Sequence, residues 1–109
     1  MDMLIGKKCG PCEGGTPPMK REQFAPYLDQ VAGWEIVQDD HALERDFKFK
    51  DFPAALAFVN KVGALAESEG HHPDIDLHNW NRVKLTSSTH AIKGLSINDF
   101  ILAAKINAL

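Results

Sequence analysis

At 109 residues the chain has the length of one domain with a single core. Its 44% apolar and 25% charged residues match a folded soluble protein rather than a disordered one. The net charge is −3, Lys and Arg are scattered, and no stretch approaches the roughly 20 apolar residues of a membrane span, so no direct nucleic-acid or membrane partner is expected.

Met1 to Lys8 lacks the apolar core and cleavage site of a secretory signal, which makes a cytoplasmic location the default. Cys9-Gly10-Pro11-Cys12 has the spacing of thioredoxin-like redox sites, but Gly and Pro follow it instead of a helix. Two cysteines are also only half of a four-cysteine zinc site. Residues 1-19 therefore read as a flexible Gly/Pro-rich arm and residues 20-109 as the single folded domain.

Phe24, Tyr27, Leu28 and Val31 recur at helical spacing, which predicts a first helix over 20–31 with Gly33 as its stop. Trp34 to Val37 and the alternating run Leu43 to Phe49, joined by the polar turn at 38–41, predict a hairpin that buries Phe47 and Phe49. Asp51 suits the cap of a second helix with Pro53 in its first turn, and Gly70 ends it. Its apolar stripe is Phe52, Ala55, Leu56, Val59, Val62 and Ala66. A second hairpin is predicted from Ile75 to Trp80 and Val83 to Thr89, and Ser96 with Asp99 resembles a capping box opening a last helix. The order α-β-β-α-β-β-α implies an α+β fold, a four-stranded antiparallel sheet with the helices packed on one face. The last helix carries apolar residues on more than one side (Phe100, Ile101, Leu102, Ala104, Ile106, Leu109), which predicts a homo-oligomer, dimer or tetramer.

His71, His72 and His90 carry the chemistry. Imidazoles titrate near neutral pH, so three of them beside carboxylates suit proton transfer on a bound small molecule. If the second hairpin turns about Trp80 and Asn81, positions sum to about 161 and His71 faces His90; a one-residue shift would put His72 there. Val83, Leu85, Ser87 and Thr89 share one face of the returning strand, so His90 points away from the core. A three-histidine metal site is the alternative, but adjacent histidines in extended backbone point to opposite sides. Glu67 also reads as a helix-surface charge, Asp99 as a plain capping residue and Trp80 as a packing aromatic; taken together with the histidines they supply carboxylates and a ring platform for a planar nitrogen heterocycle. His41 and His78 read as solvated surface residues.

Glu67-x3-His71-His72-Pro73, then Trp80-Asn81-x-Val83-x-Leu85, then Thr89-His90-x3-Gly94-Leu95-Ser96-x2-Asp99 resembles the pterin-4a-carbinolamine dehydratase family. Trp80 stands where the family usually has Tyr, and the segment between His72 and His90 is one residue longer than in animal members. The Cys-x2-Cys arm is similar to one in some bacterial and plant members. The resemblance implies dehydration of a 4a-hydroxytetrahydropterin to the quinonoid dihydropterin, with no metal and no organic cofactor. It implies acid and base roles for His71 and His90 in either assignment, and an orienting or substituting role for His72. It places Glu67 and Asp99 in the pterin site, with Pro73 and Thr89 lining it. Animal members also act as dimerisation partners of a homeodomain transcription factor, and plant relatives suggest an assembly role, so a protein-binding function with an unidentified partner is the competing expectation.

Overall fold

The computed structural model describes residues 3–10 and 17–109, which leaves Cys12 and the Gly14-Gly15 pair outside the described residues. Strands β1 (Glu35–Val37), β2 (Ala42–Lys48), β3 (Asp74–His78) and β4 (Arg82–Ser87) form one antiparallel sheet in the order β1-β2-β4-β3. Helices α1 (Arg21–Phe24), α2 (Phe52–Glu69) and α3 (Ile97–Asn107) complete the predicted α+β order. Among the described residues, no helix is long and apolar enough to cross a membrane.

Local signals act where the sequence places them. Asp51 Oδ1 accepts the Ala54 N–H at 2.9 Å to cap α2, and Pro53 costs nothing in a first turn that has no partner for its N–H. Gly70 closes α2 in the left-handed conformation at φ 66°, and its own N–H returns to Ala66 and Glu67. The first helix departs from expectation: α1 is one turn long and gives way to a 3-10 stretch, Ala25–Gln30. Pro26 has no N–H to continue the α ladder, so the chain tightens there.

Alternation along the strands sorts the sheet's two faces. Leu43, Val83 and Leu85 are fully buried under the helices, together with Ala55, Val62, Phe100 and Leu102. Phe47 and Phe49 pack on Phe58 of α2 with ring centroids 4.7 and 4.9 Å away. The opposite face is polar in the three rows shared by β2, β4 and β3: Glu44, Thr86 and Asp74; Asp46, Lys84 and Asp76; Lys48, Arg82 and His78. Charges of both signs occur there, the composition of a solvated sheet face.

The structure corrects the reasoning behind the expected oligomer. The apolar sides of α3 are buried within the chain, because residues 3–10 lie against it and Leu4 is fully buried in the core, its N–H held by Gln30 Oε1 at 2.7 Å. Burying a leucine contributes about 1.5–3 kcal/mol. Leu109 is exposed, and so are Phe52 and Leu56, at 46% and 42%. These last two lie beyond the edge of the α2 stripe that faces the sheet, which runs through Ala55, Val59, Val62 and Ala66.

Candidate active site

The α2 stop, the start of β3 and the turn after β4 meet at one end of the sheet. There a cleft of about 430 Å³ is walled by Gly10, Gly70, His71, His72, Pro73, Asp74, Ser88, Thr89, His90, Ala91 and Asn98. The three histidines picked out in the sequence thus share one open pocket, together with Pro73 and Thr89. Glu67 and Asp99 do not line it.

Convergence arises differently from the predicted strand pairing. The register is Asp74↔Thr86 through His78↔Arg82, a sum of 160 rather than 161, because the loop holds three residues, with Asn79 and Trp80 both at positive φ. Neither His71 nor His72 lies opposite His90 in the ladder. His90 begins a 3-10 turn, His90–Ile92, after β4 has ended at Ser87. That turn is pinned by a bridge between Thr89 and Gly94, where an added Cβ would come within 2.5 Å of Pro18. Trp80 is 62% exposed at the far end of the hairpin and supplies no ring platform to the cleft. His78 sits on the open sheet face near Asp46, and His41 bonds the Gln38 carbonyl; neither lines this cleft.

Asp99 holds the most ordered part of the site. Its side chain is fully buried, and its Oδ1 accepts from Ser87 Oγ at 2.6 Å and from His71 Nε2 at 2.7 Å. Its Oδ2 accepts from Thr89 Oγ1 at 2.8 Å and from the Ser96 N–H at 3.0 Å. Four donors on two oxygens suit an ionised carboxylate, which is acceptor-only. Asp99 is therefore both the expected capping-box residue and the partner of a catalytic candidate 28 positions away. With Nε2–H given to Asp99, the neutral His71 ring keeps Nδ1 as an acceptor, a tautomer fixed by the neighbour. Asp99 does not line the cleft itself and touches it through two residues that do, His71 and Thr89.

His72 Nε2 bonds Glu67 Oε1 at 2.9 Å, but these side chains are 61% and 82% exposed. The sequence gives no site role to Ser87, Ser96 or Asn98, although it places Ser87 on the inward strand face and Ser96 in the capping box. Ser87 had a signal: a hydroxyl on the same strand face as Val83 and Leu85 must find a buried partner. Beside the pocket, Lys105 Nζ bonds Glu69 Oε2 at 2.8 Å. Burial pushes the Glu69 carboxyl up, but the Lys105 hydrogen bond and the Cys9 N–H outweigh it and hold the group below its ordinary value. Among the described residues no three His, Cys, Asp or Glu side chains are grouped to hold a metal ion. A second cleft of about 440 Å³, between Pro17–Glu22 and Asp39–His41, holds one imidazole, His41, and an Arg21–Asp40 ion pair.

A family model described as Pterin 4 alpha carbinolamine dehydratase matches residues 17–109. A Rubrobacter xylanophilus protein that carries this dehydratase name provisionally is 49% identical over 109 residues, spanning the whole of both chains. Pterin-4-alpha-carbinolamine dehydratase 2, mitochondrial, of Arabidopsis thaliana is 49% identical over 97% of this chain and 58% of its own length. The crystal structure of a transcriptional coactivator/pterin dehydratase from Brucella melitensis superposes with a TM-score of 0.76 at 34% identity, covering 84% of this chain and 96% of that one. A pterin dehydratase-like protein identified as a RuBisCO assembly factor in the alpha-carboxysome shares the fold alone, with a TM-score of 0.60 at 22% identity over 72% of this chain and 90% of its own. The order of elements, the cleft at the end of the sheet and these matches lead to one conclusion: the chain belongs to the pterin-4-alpha-carbinolamine dehydratase family.

Proposed function

We propose that the cleft dehydrates a 4a-hydroxytetrahydropterin to the quinonoid dihydropterin and water, so recycling a pterin after it has served an aromatic hydroxylase. The observation that carries this reading is the grouping of His71, His72 and His90 around one cleft, with His71 backed by a buried carboxylate. Family membership supplies the substrate class.

In the proposed step, His71 Nδ1 takes the proton from ring N5. The electron pair released at N5 forms the C4a=N5 bond as the C4a–O bond breaks, and His90 gives a proton to the departing hydroxyl, which leaves as water. Asp99 favours the base role for His71, because its charge stabilises the imidazolium that forms. His90, an exposed residue lining the same cleft, is the proposed acid. His72 orients the substrate with Glu67 behind it, and Pro73 and Thr89 shape the wall. Exposed Phe52 and Leu56 on α2 support self-association, which light scattering on the purified protein would measure.

The test is the decay of 4a-hydroxytetrahydropterin generated in situ by a hydroxylase, with wild type, EDTA-treated protein and His90→Ala. Acceleration that survives EDTA and collapses in the variant supports histidine acid–base catalysis. No acceleration by wild type overturns the assignment in favour of a protein-binding role, which the coactivator part of the Brucella protein's description favours as the second reading.

A further inference from the structure

Arm residues Lys8, Cys9 and Gly10 bond, in order, to the end of α2, just before His71, and to the start of α3, which carries Asp99. Lys8 Nζ donates to the Ser68 carbonyl at 2.8 Å, and the Cys9 N–H donates to Glu69 Oε1 at 2.9 Å, both at the end of α2. Cys9 Sγ donates to the Asn98 carbonyl at 3.5 Å, at the start of α3. The Gly10 N–H then donates to Asn98 Oδ1 at 3.0 Å, and Asn98 Nδ2 returns a hydrogen bond to the Gly10 carbonyl at 2.6 Å. Glu69 lies two residues before His71, and Asn98 one residue before Asp99. The same Glu69 is strapped to α3 through Lys105. Burial, reinforced by the Glu69 charge, pushes the Cys9 thiol up to about 12, so it serves as an S–H donor and not as a thiolate.

Gly10 and Asn98 also wall the cleft alongside the histidines. A backbone unit held by two hydrogen bonds from one amide side chain is a fixed surface, and an arm anchored further back by buried Leu4 has little freedom to leave it. We infer that Lys8–Gly10 form an intramolecular clamp between α2 and α3 that completes the ligand-binding wall, with Asn98 as the positioning residue for the bound pterin. The identity of the ligand rests on the dehydratase reading; the clamp itself rests on the contacts.

The experiment compares full-length wild type, Asn98→Ala, Gly10→Pro and, as an arm control away from the clamp, Ile5→Ala. Dissociation constants for 7,8-dihydropterin come from fluorescence titration, and kcat and KM from the dehydratase assay. Gly10→Pro removes the arm's N–H donor and restrains the arm backbone while leaving Asn98 and α3 intact, so it tests the clamp even where Asn98→Ala weakens the start of α3. The expected result is a rise in both Kd and KM of roughly tenfold in the two clamp variants, the scale of one or two neutral hydrogen bonds, with kcat within about threefold of wild type and Ile5→Ala unchanged. Wild-type Kd in both clamp variants, or a fall in kcat with Kd unmoved, overturns the clamp. Wild type that binds dihydropterin without turnover, while the clamp variants bind it more weakly, sinks the dehydratase reading and leaves the clamp standing. Wild type that binds no pterin overturns both.

Discussion

His71 and His72 are neighbours in sequence, and each bonds a carboxylate through Nε2 at nearly the same distance, 2.7 and 2.9 Å. Their surroundings differ completely. His71 and Asp99 are 11% and 0% exposed, whereas His72 and Glu67 are 61% and 82% exposed. Water screens the outer pair, and ordering two mobile side chains offsets what attraction remains, so it contributes at most about 1 kcal/mol. The inner carboxylate is held by three further donors, and loss of His71 would leave one acceptor site of the buried Oδ1 unpaired. Distance alone therefore does not rank these pairs; burial and the count of donors do.

The sharpest way to break the inner pair is His71→Ala, for which the expected loss in dehydration rate is roughly 10²–10⁴-fold. Asp99→Asn should lose comparable rate and also destabilise the fold by about 2–3 kcal/mol, because an amide nitrogen would face donors within a buried network. Urea titration of the variant reads the second effect. His90→Ala should lose rate by roughly 10²-fold or more without the stability cost, since His90 is an exposed cleft residue.

Smaller effects sharpen the contrast. Glu69 is a third carboxylate beside the cleft, largely buried, with its pKa held below the ordinary 4.5. A carboxylate whose folded pKa is depressed contributes stability above its unfolded pKa, and that contribution is lost as pH falls through the folded value. Urea midpoints measured from about pH 6 down to about pH 3 should therefore fall less steeply in Glu69→Gln than in wild type. Glu67→Gln, in the exposed pair, should change stability by no more than about 0.5 kcal/mol and activity by about threefold or less.

Short-range features were legible in the sequence. Asp51, Gly70 and the Ser96–Asp99 box act within a few residues of where they stand, and strand alternation sorted Val83, Leu85, Ser87 and Thr89 onto one face. The set His71, His72 and His90 was legible through spacing and through the family motif, and the three do meet in one cleft. The hairpin register was not, because Asn79 and Trp80 adopt left-handed conformations that no glycine announced. Nor were the capping residue's bond to His71, or the pairing of Gly10 with Asn98 across 88 positions, since both depend on how distant elements dock. The helix period assigned Phe52 and Leu56 to the buried stripe, yet the sheet reaches only one side of α2 and leaves them exposed.

The most direct test of the contrast between neighbours is the ratio of dehydration rates in His71→Ala and His72→Ala, measured at saturating 4a-hydroxytetrahydropterin. The buried Asp99 partnership predicts that His71→Ala is slower than His72→Ala by at least roughly tenfold, the lower end of what a lost general base costs beyond a lost orienting contact. Equal losses, or a larger loss at His72, would contradict the assignment of proton transfer to the carboxylate-backed histidine.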